Sequence, residues 1–76
     1  MTARRPSKPW RVILSGQTGE ISETPLTSEA KTYAFVRASL GPDSPADTAK
    51  VMQWEDGRWL WFDTLHPEDV NVEETP

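Results

Sequence analysis

The sequence predicts a small soluble α+β domain in which an antiparallel sheet of three or four strands packs on one helix, in the order β-β-α-β-β. Three features of the residues carry that expectation. Trp10 to Ser15 alternates apolar and polar side chains with the period of a half-buried strand. Leu26-Thr27-Ser28-Glu29 reads as a helix start and Gly41-Pro42 as its stop, and Tyr33, Val36 and Leu40 share one face between them. Asp56-Gly57 between two β-rich runs is the pattern of a two-residue type I′ hairpin, whose central residues both need positive φ.

Taken in order, residues 1–9 hold Pro6, Pro9 and basic side chains and are expected to be a disordered basic arm ahead of a single domain over 10–70. Gly16-Gln17-Thr18-Gly19 supplies turn chemistry. Glu20 to Thr24 is the returning strand, held to an edge position by Pro25, which lacks an N–H for a ladder. The helix is expected from Ser28 to Leu40, with Thr27 or Ser28 capping its free amides, Glu29 at the positive end of its dipole, and Phe35 pointing away from the main apolar face. Residues 41–48 are a loop by composition. The second hairpin joins Val51–Glu55 to Arg58–Asp63, and its turn sets Glu55 opposite Arg58, Trp54 opposite Trp59, Gln53 opposite Leu60, Met52 opposite Trp61 and Val51 opposite Phe62. His66-Pro67-Glu68-Asp69 opens one helical turn with proline in its first position. Residues 71–76 are expected to be a disordered acidic tail.

Composition narrows the function classes. With 76 residues, 36% of them hydrophobic, one domain is the ceiling, and four Trp supply the bulk that so short a chain needs for a core. The absence of Cys excludes disulfides and thiolate zinc sites and fits a reducing cytoplasm. Val12-Ile13-Leu14 is too short for a signal-peptide core, no run reaches membrane-spanning length, and no hydrophobic segment follows Arg4-Arg5. A cytoplasmic, unanchored protein is expected, and the Arg-, Asp-, Pro- and Thr-rich usage fits GC-rich bacterial coding. The net charge of −4 is unevenly spread: Arg4, Arg5, Lys8 and Arg11 precede any acid, and beyond Arg58 the chain is acidic or neutral.

The second hairpin is the feature of the sequence that points to function. Its register sorts Met52, Trp54, Trp59 and Trp61 onto one face and Val51, Leu60 and Phe62, around Gln53, onto the other, so both faces are apolar. One helix of about 13 residues, about 20 Å long, covers one side of a sheet. The residues alone do not say which set is inside. With the Trp set inside, Val51, Leu60 and Phe62 form an exposed recognition surface, and Phe35 is a further contact. The expected function is a non-enzymatic protein-interaction or accessory domain, without cofactor or metal, whose partner is another protein or a second copy of the chain.

A single-stranded nucleic-acid binder ranks second, with Trp54, Trp59 and Trp61 stacking on bases while Arg4, Arg5, Lys8 and Arg11 follow the phosphates. Glu20, Glu23, Glu55, Asp56 and Asp63 oppose it. Lys31 to Ala38 resembles the RNP1 motif of the RNA recognition motif family at Lys31, Tyr33, Ala34, Phe35 and Val36. It departs at Thr32, where the family has Gly, and at Ala38, where it has an aromatic; the motif also belongs on a central strand, whereas this segment reads as helix. The family is therefore not assigned. Catalytic chemistry is thin: His66 is the one histidine, Asp63 lies three residues before it, and no nucleophile elbow or metal-ligand spacing accompanies them.

Overall fold

The computed structural model describes residues 7–70. The elements run β1 (Trp10–Gly16), β2 (Gly19–Leu26), α1 (Glu29–Ser39), β3 (Thr48–Glu55), β4 (Arg58–Leu65) and a single turn, α2 (Pro67–Val70). The four strands form one antiparallel sheet in the spatial order β2-β1-β3-β4. Both β2 and β3 are antiparallel to β1, which makes them parallel to each other, so α1 is the crossover that carries the chain from one side of β1 to the other. The architecture is the expected small α+β arrangement.

The core forms where the inward residues of β1 meet those of β3. Trp10, Val12 and Leu14 stand opposite Gln53, Val51 and Ala49. Val36 and Leu40 of α1 close over them, and Val12, Val36, Leu40, Ala49 and Val51 are fully buried. The helix begins as its sequence dictates: the Ser28 hydroxyl accepts the Lys31 amide at 3.2 Å, satisfying a first-turn N–H. Thr32 is buried among these apolar groups, and its hydroxyl donates to the Ser28 carbonyl at 2.7 Å, so no polar atom is stranded. Phe35, expected to point away, packs half-buried at the margin of the core. The apolar stripe of a helix lying on a sheet is broad enough to draw in the side chain next to Val36.

Several boundaries move outward because β1 supplies backbone partners beyond the apolar run. Pro9 is buried and its carbonyl accepts the Trp54 amide at 2.8 Å, so ordered chain starts before Trp10. Thr48, expected in a loop, opens β3 because Ser15 pairs with it and the Ser15 carbonyl takes the Asp47 amide at 2.8 Å. β2 extends to Leu26 and carries Pro25 on the sheet's edge, where a missing N–H is tolerated. The arm residues 1–6 and the tail 71–76 lie outside the described residues.

The second hairpin turns at Asp56 and Gly57, with φ of 53° and 82°, the pair of positive values a type I′ turn requires. Four of the five expected pairings follow: Glu55 with Arg58, Trp54 with Trp59, Gln53 with Leu60 and Met52 with Trp61. The fifth does not. A β-bulge makes Phe62 an extra residue, and Val51 pairs with Asp63. Strict alternation would have sent Asp63 and Leu65 to the far side of the sheet. The inserted residue returns both to the helix side, where Leu65 packs on the core and the Tyr33 hydroxyl donates to Asp63 Oδ2 at 2.9 Å. Phe62 itself meets Trp10 edge to face, with ring centroids 4.9 Å apart.

The Tyr33–Asp63 bond ties α1 to the outer strand. Burial of the phenol, reinforced by the bond to Asp63 and by the charges of Asp63 and Glu29, pushes the Tyr33 pKa up to about 12 from 10.0. The folded state thus holds the phenol proton more tightly than the unfolded chain does. The resulting stabilisation is complete below pH 10, the unfolded value, and is lost as pH rises through about 12. Tyr33 is the one tyrosine of the chain, so the ultraviolet absorbance of its phenolate reports this directly, with a midpoint near 12 when folded and near 10 in urea. Tyr33→Phe should lower stability by about 1 kcal/mol at neutral pH and remove the part of the alkaline slope that it causes, as read by urea unfolding across pH. Gly57→Ala should also cost about 1 kcal/mol, because alanine at positive φ is strained, with an unchanged urea m-value.

Candidate functional site

The helix takes one side of the sheet and leaves the other open. Side chains alternate along a strand, so the partners of Arg11, Ile13 and Ser15 share the side away from α1. Across the sheet this gives a row of Glu23, Ile13, Lys50 and Thr64, and a row of Pro25, Arg11, Met52 and Trp61. Trp54 and Trp59 face each other beyond them. No element of the described residues lies over this face. Its most accessible large apolar side chain is Trp61, 62% exposed, while Ile13, Met52, Trp54 and Trp59 are half-buried.

Local contacts hold these side chains upright. Trp54 and Trp59 pack edge to face, 5.5 Å between centroids and 75° between planes. The Arg11 guanidinium lies over the Trp59 ring at 4.0 Å and pairs with Glu23 Oε2 at 3.2 Å. The Trp61 indole N–H donates to the Thr64 hydroxyl at 2.7 Å, an arrangement available because the bulge turns Thr64 to this side. A large aromatic surface is thereby fixed in place, with the Trp61 indole N–H and the Arg11 guanidinium paired.

This reverses the sequence-based choice of face. Val51 is fully buried and has no surface to offer, because β3 is interior to the sheet and Val51 sits opposite Val12 beneath the helix. Leu60 and Phe62 are on the same covered side. They lie on the outer strand, where cover thins, and Phe62 retains 38% exposure beside Trp10. Phe35 is packed at the core's margin. The Trp54, Trp59, Trp61 set assigned to stacking is the open one. Arg11 joins it and Lys8 is exposed just ahead of β1; Arg4 and Arg5 lie outside the described residues. Lys50 and Ile13 were not singled out from the sequence, although β-alternation through Thr48 to Trp54 would have placed Lys50 beside the Trp residues had the strand been extended that far.

The remaining candidates do not assemble. His66 Nδ1 is 3.7 Å from Asp69 Oδ2, and its own amide donates to that carboxylate at 2.8 Å, while Asp63 is taken by Tyr33. Among the described residues no three His, Asp or Glu side chains are grouped as metal ligands. An open cleft of about 630 Å³ lies at the opposite end of the domain from the Asp56-Gly57 turn, lined by Gly16, Ile21, Pro42, Pro45, Asp47 and Pro67 among others. A Cβ at Gly16 would stand 2.7 Å from the Pro45 carbonyl oxygen, so glycine lets the 41–47 loop lie against the end of β1. The cleft presents loop backbone and proline rings, with no paired acid, base or nucleophile. No helix among the described residues is long and apolar enough to cross a membrane.

No protein family, curated protein or solved structure matches the chain. The open face therefore has to be interpreted from its own chemistry. Its separation from the core is measurable by paired substitutions. Trp10→Ala should cost about 3 kcal/mol in urea unfolding, as expected for a buried aromatic, whereas Trp61→Ala should cost less than about 1 kcal/mol.

Proposed function

We propose that this chain is a non-enzymatic protein-interaction module of the cytoplasm, and that its recognition surface is the open sheet face centred on Trp54, Trp59 and Trp61. The observation that carries the reading is Trp61, 62% exposed at the β4 end of a row that also holds Met52 and Arg11. Trp, Met and Arg are the side chains enriched where protein surfaces meet, and Trp and Arg dominate their energetics. Glu23, Lys50 and Thr64 add polar groups around the aromatic centre, the distribution expected of an interface rim. A contiguous aromatic patch of this kind is costly to leave in water without a use. The partner is another protein or a second copy of the chain.

A single observation favours a second reading, single-stranded nucleic acid. The Pro9 carbonyl is bonded to the Trp54 amide, so exposed Lys8 sits at the same end of the sheet as Trp54 and Trp59. Against it, Arg11 is engaged by Glu23 and the net charge is −4.

Trp61→Asp tests the protein reading. Sedimentation velocity of the purified chain and cross-linking in the native cell should show an assembly that weakens at least about tenfold in the variant, with the urea midpoint little changed. Phe62→Asp should instead lower the midpoint. Identical assembly by wild type and Trp61→Asp overturns the proposal. Salt-sensitive quenching of wild-type Trp fluorescence by short oligonucleotides replaces it with the second reading.

A further inference from the structure

One part of the open face already holds a cation. The Arg11 guanidinium sits 4.0 Å from the centroid of the Trp59 ring, within the range at which the ring's quadrupole attracts positive charge. The edge-to-face contact with Trp54 restrains the ring that Arg11 covers. The same guanidinium also donates to the Glu23 carboxylate at 3.2 Å. An aromatic face and a carboxylate, both fixed to the sheet, are the two groups that together recognise an organic cation: the ring favours charge without demanding a directed bond, and the carboxylate accepts the N–H donors.

The resident cation is loosely held. Arg11 and Glu23 side chains are 33% and 44% exposed, and an exposed ion pair and an exposed cation–π contact are each weak. Arg11 has a long, flexible stem, so it can swing aside without disturbing its backbone pairing with Pro25 and Met52. Leaving the ring uncovers a site that keeps Trp59, its brace Trp54 and the Glu23 charge.

We propose that Arg11 is a stand-in, and that the face recognises a protein segment presenting an arginine or lysine side chain to Trp59 and Glu23 while apolar neighbours of that side chain lie on Met52 and Trp61. This rests on reading the face as a protein-interaction surface and adds the chemistry of the partner. Charge complementarity supports it. The chain carries −4 overall and Glu20, exposed on the same strand as Glu23, faces the same side opposite Ser15, so a basic segment is attracted and a polyphosphate is repelled. Lys50, two strands from Glu23 in the row through Ile13, opposes a second positive charge at that point. The segment that fits is therefore apolar around a single cation, not a polybasic run.

The test uses the full chain and three probes: a blocked Leu-Arg-Leu tripeptide, the same tripeptide with uncharged, nearly isosteric citrulline in place of arginine, and a short oligothymidine. Binding is followed by Trp fluorescence and by the NMR signals of the indole N–H groups. Arg11→Gln vacates the ring, and the arginine peptide should then bind about tenfold more tightly than it binds wild type, because the internal competitor is gone. The Trp59 signal should move most, the citrulline peptide should bind several-fold more weakly, and adding Glu23→Gln should reduce the preference for arginine to the share that the Trp59 ring supplies. Equal affinity for the arginine and citrulline peptides overturns the cation site and leaves the interaction face standing. No binding of either peptide to Arg11→Gln also overturns it, and the Trp61→Asp assembly experiment then decides the face separately. Preferential, salt-sensitive binding of the oligothymidine overturns both.

Discussion

Everything in this domain follows from how little helix there is. Eleven residues of α1 span about 16 Å at the rise of an α-helix, enough to lie along one side of the sheet and no more. A four-stranded sheet has two faces, and the chain has one substantial element to shelter them. The smaller aliphatic set, Val12, Leu14, Ala49 and Val51, goes under the helix, where its members pack closely against Val36 and Leu40. Trp10 stays on the helix side, and the other three indoles, Trp54, Trp59 and Trp61, go to the side without cover. Indole tolerates that position because it combines a broad apolar body with an N–H that water or a hydroxyl can satisfy, as Thr64 does for Trp61.

The bulge at Phe62 is the device that makes this division work on the outermost strand. One extra residue reverses the alternation of β4 beyond Trp61, sending Asp63 and Leu65 inward and Thr64 outward. Asp63 then meets Tyr33, which pins the helix to a strand two positions away from β1 in the sheet. Leu65 joins the core, Phe62 abuts Trp10, and Thr64 becomes the polar partner of Trp61. Core and open face are thus organised by the same local irregularity, and a hydrogen bond on one side of the sheet is coupled through β4 to the orientation of an indole on the other.

The open face draws its character from pairs of side chains and not from any one of them. Trp54 orients Trp59, Trp59 receives Arg11, and Arg11 receives Glu23, so a chain of contacts crosses from β3 and β4 to the opposite edge. Such a surface offers large contact area with few rotamers to freeze on binding, the property that makes aromatic groups effective anchors. It also presents charge of both signs within reach of the rings, which is what distinguishes one apolar partner from another.

Much of this was legible from residues with strong local rules. Asp56-Gly57 determined a type I′ turn and with it four pairings; Thr27-Ser28 placed the helix start to within a residue; the alternation from Trp10 determined a strand whose apolar side is inward. The sequence also determined that both hairpin faces would be apolar and that one helix would leave one of them open. Which face that would be was decided only by tertiary structure, because burial depends on where the crossover helix lands, and nothing in β3 or β4 alone records the neighbour β1 presents to them. Val51 is sealed because Val12 and α1 meet there, and Trp61 is open because nothing does. The bulge was equally hidden: alternation from the turn reads through Phe62 without a break, and the gain from inserting a residue, the Tyr33–Asp63 bond and the burial of Leu65, exists only once a helix thirty residues upstream is packed beside the strand.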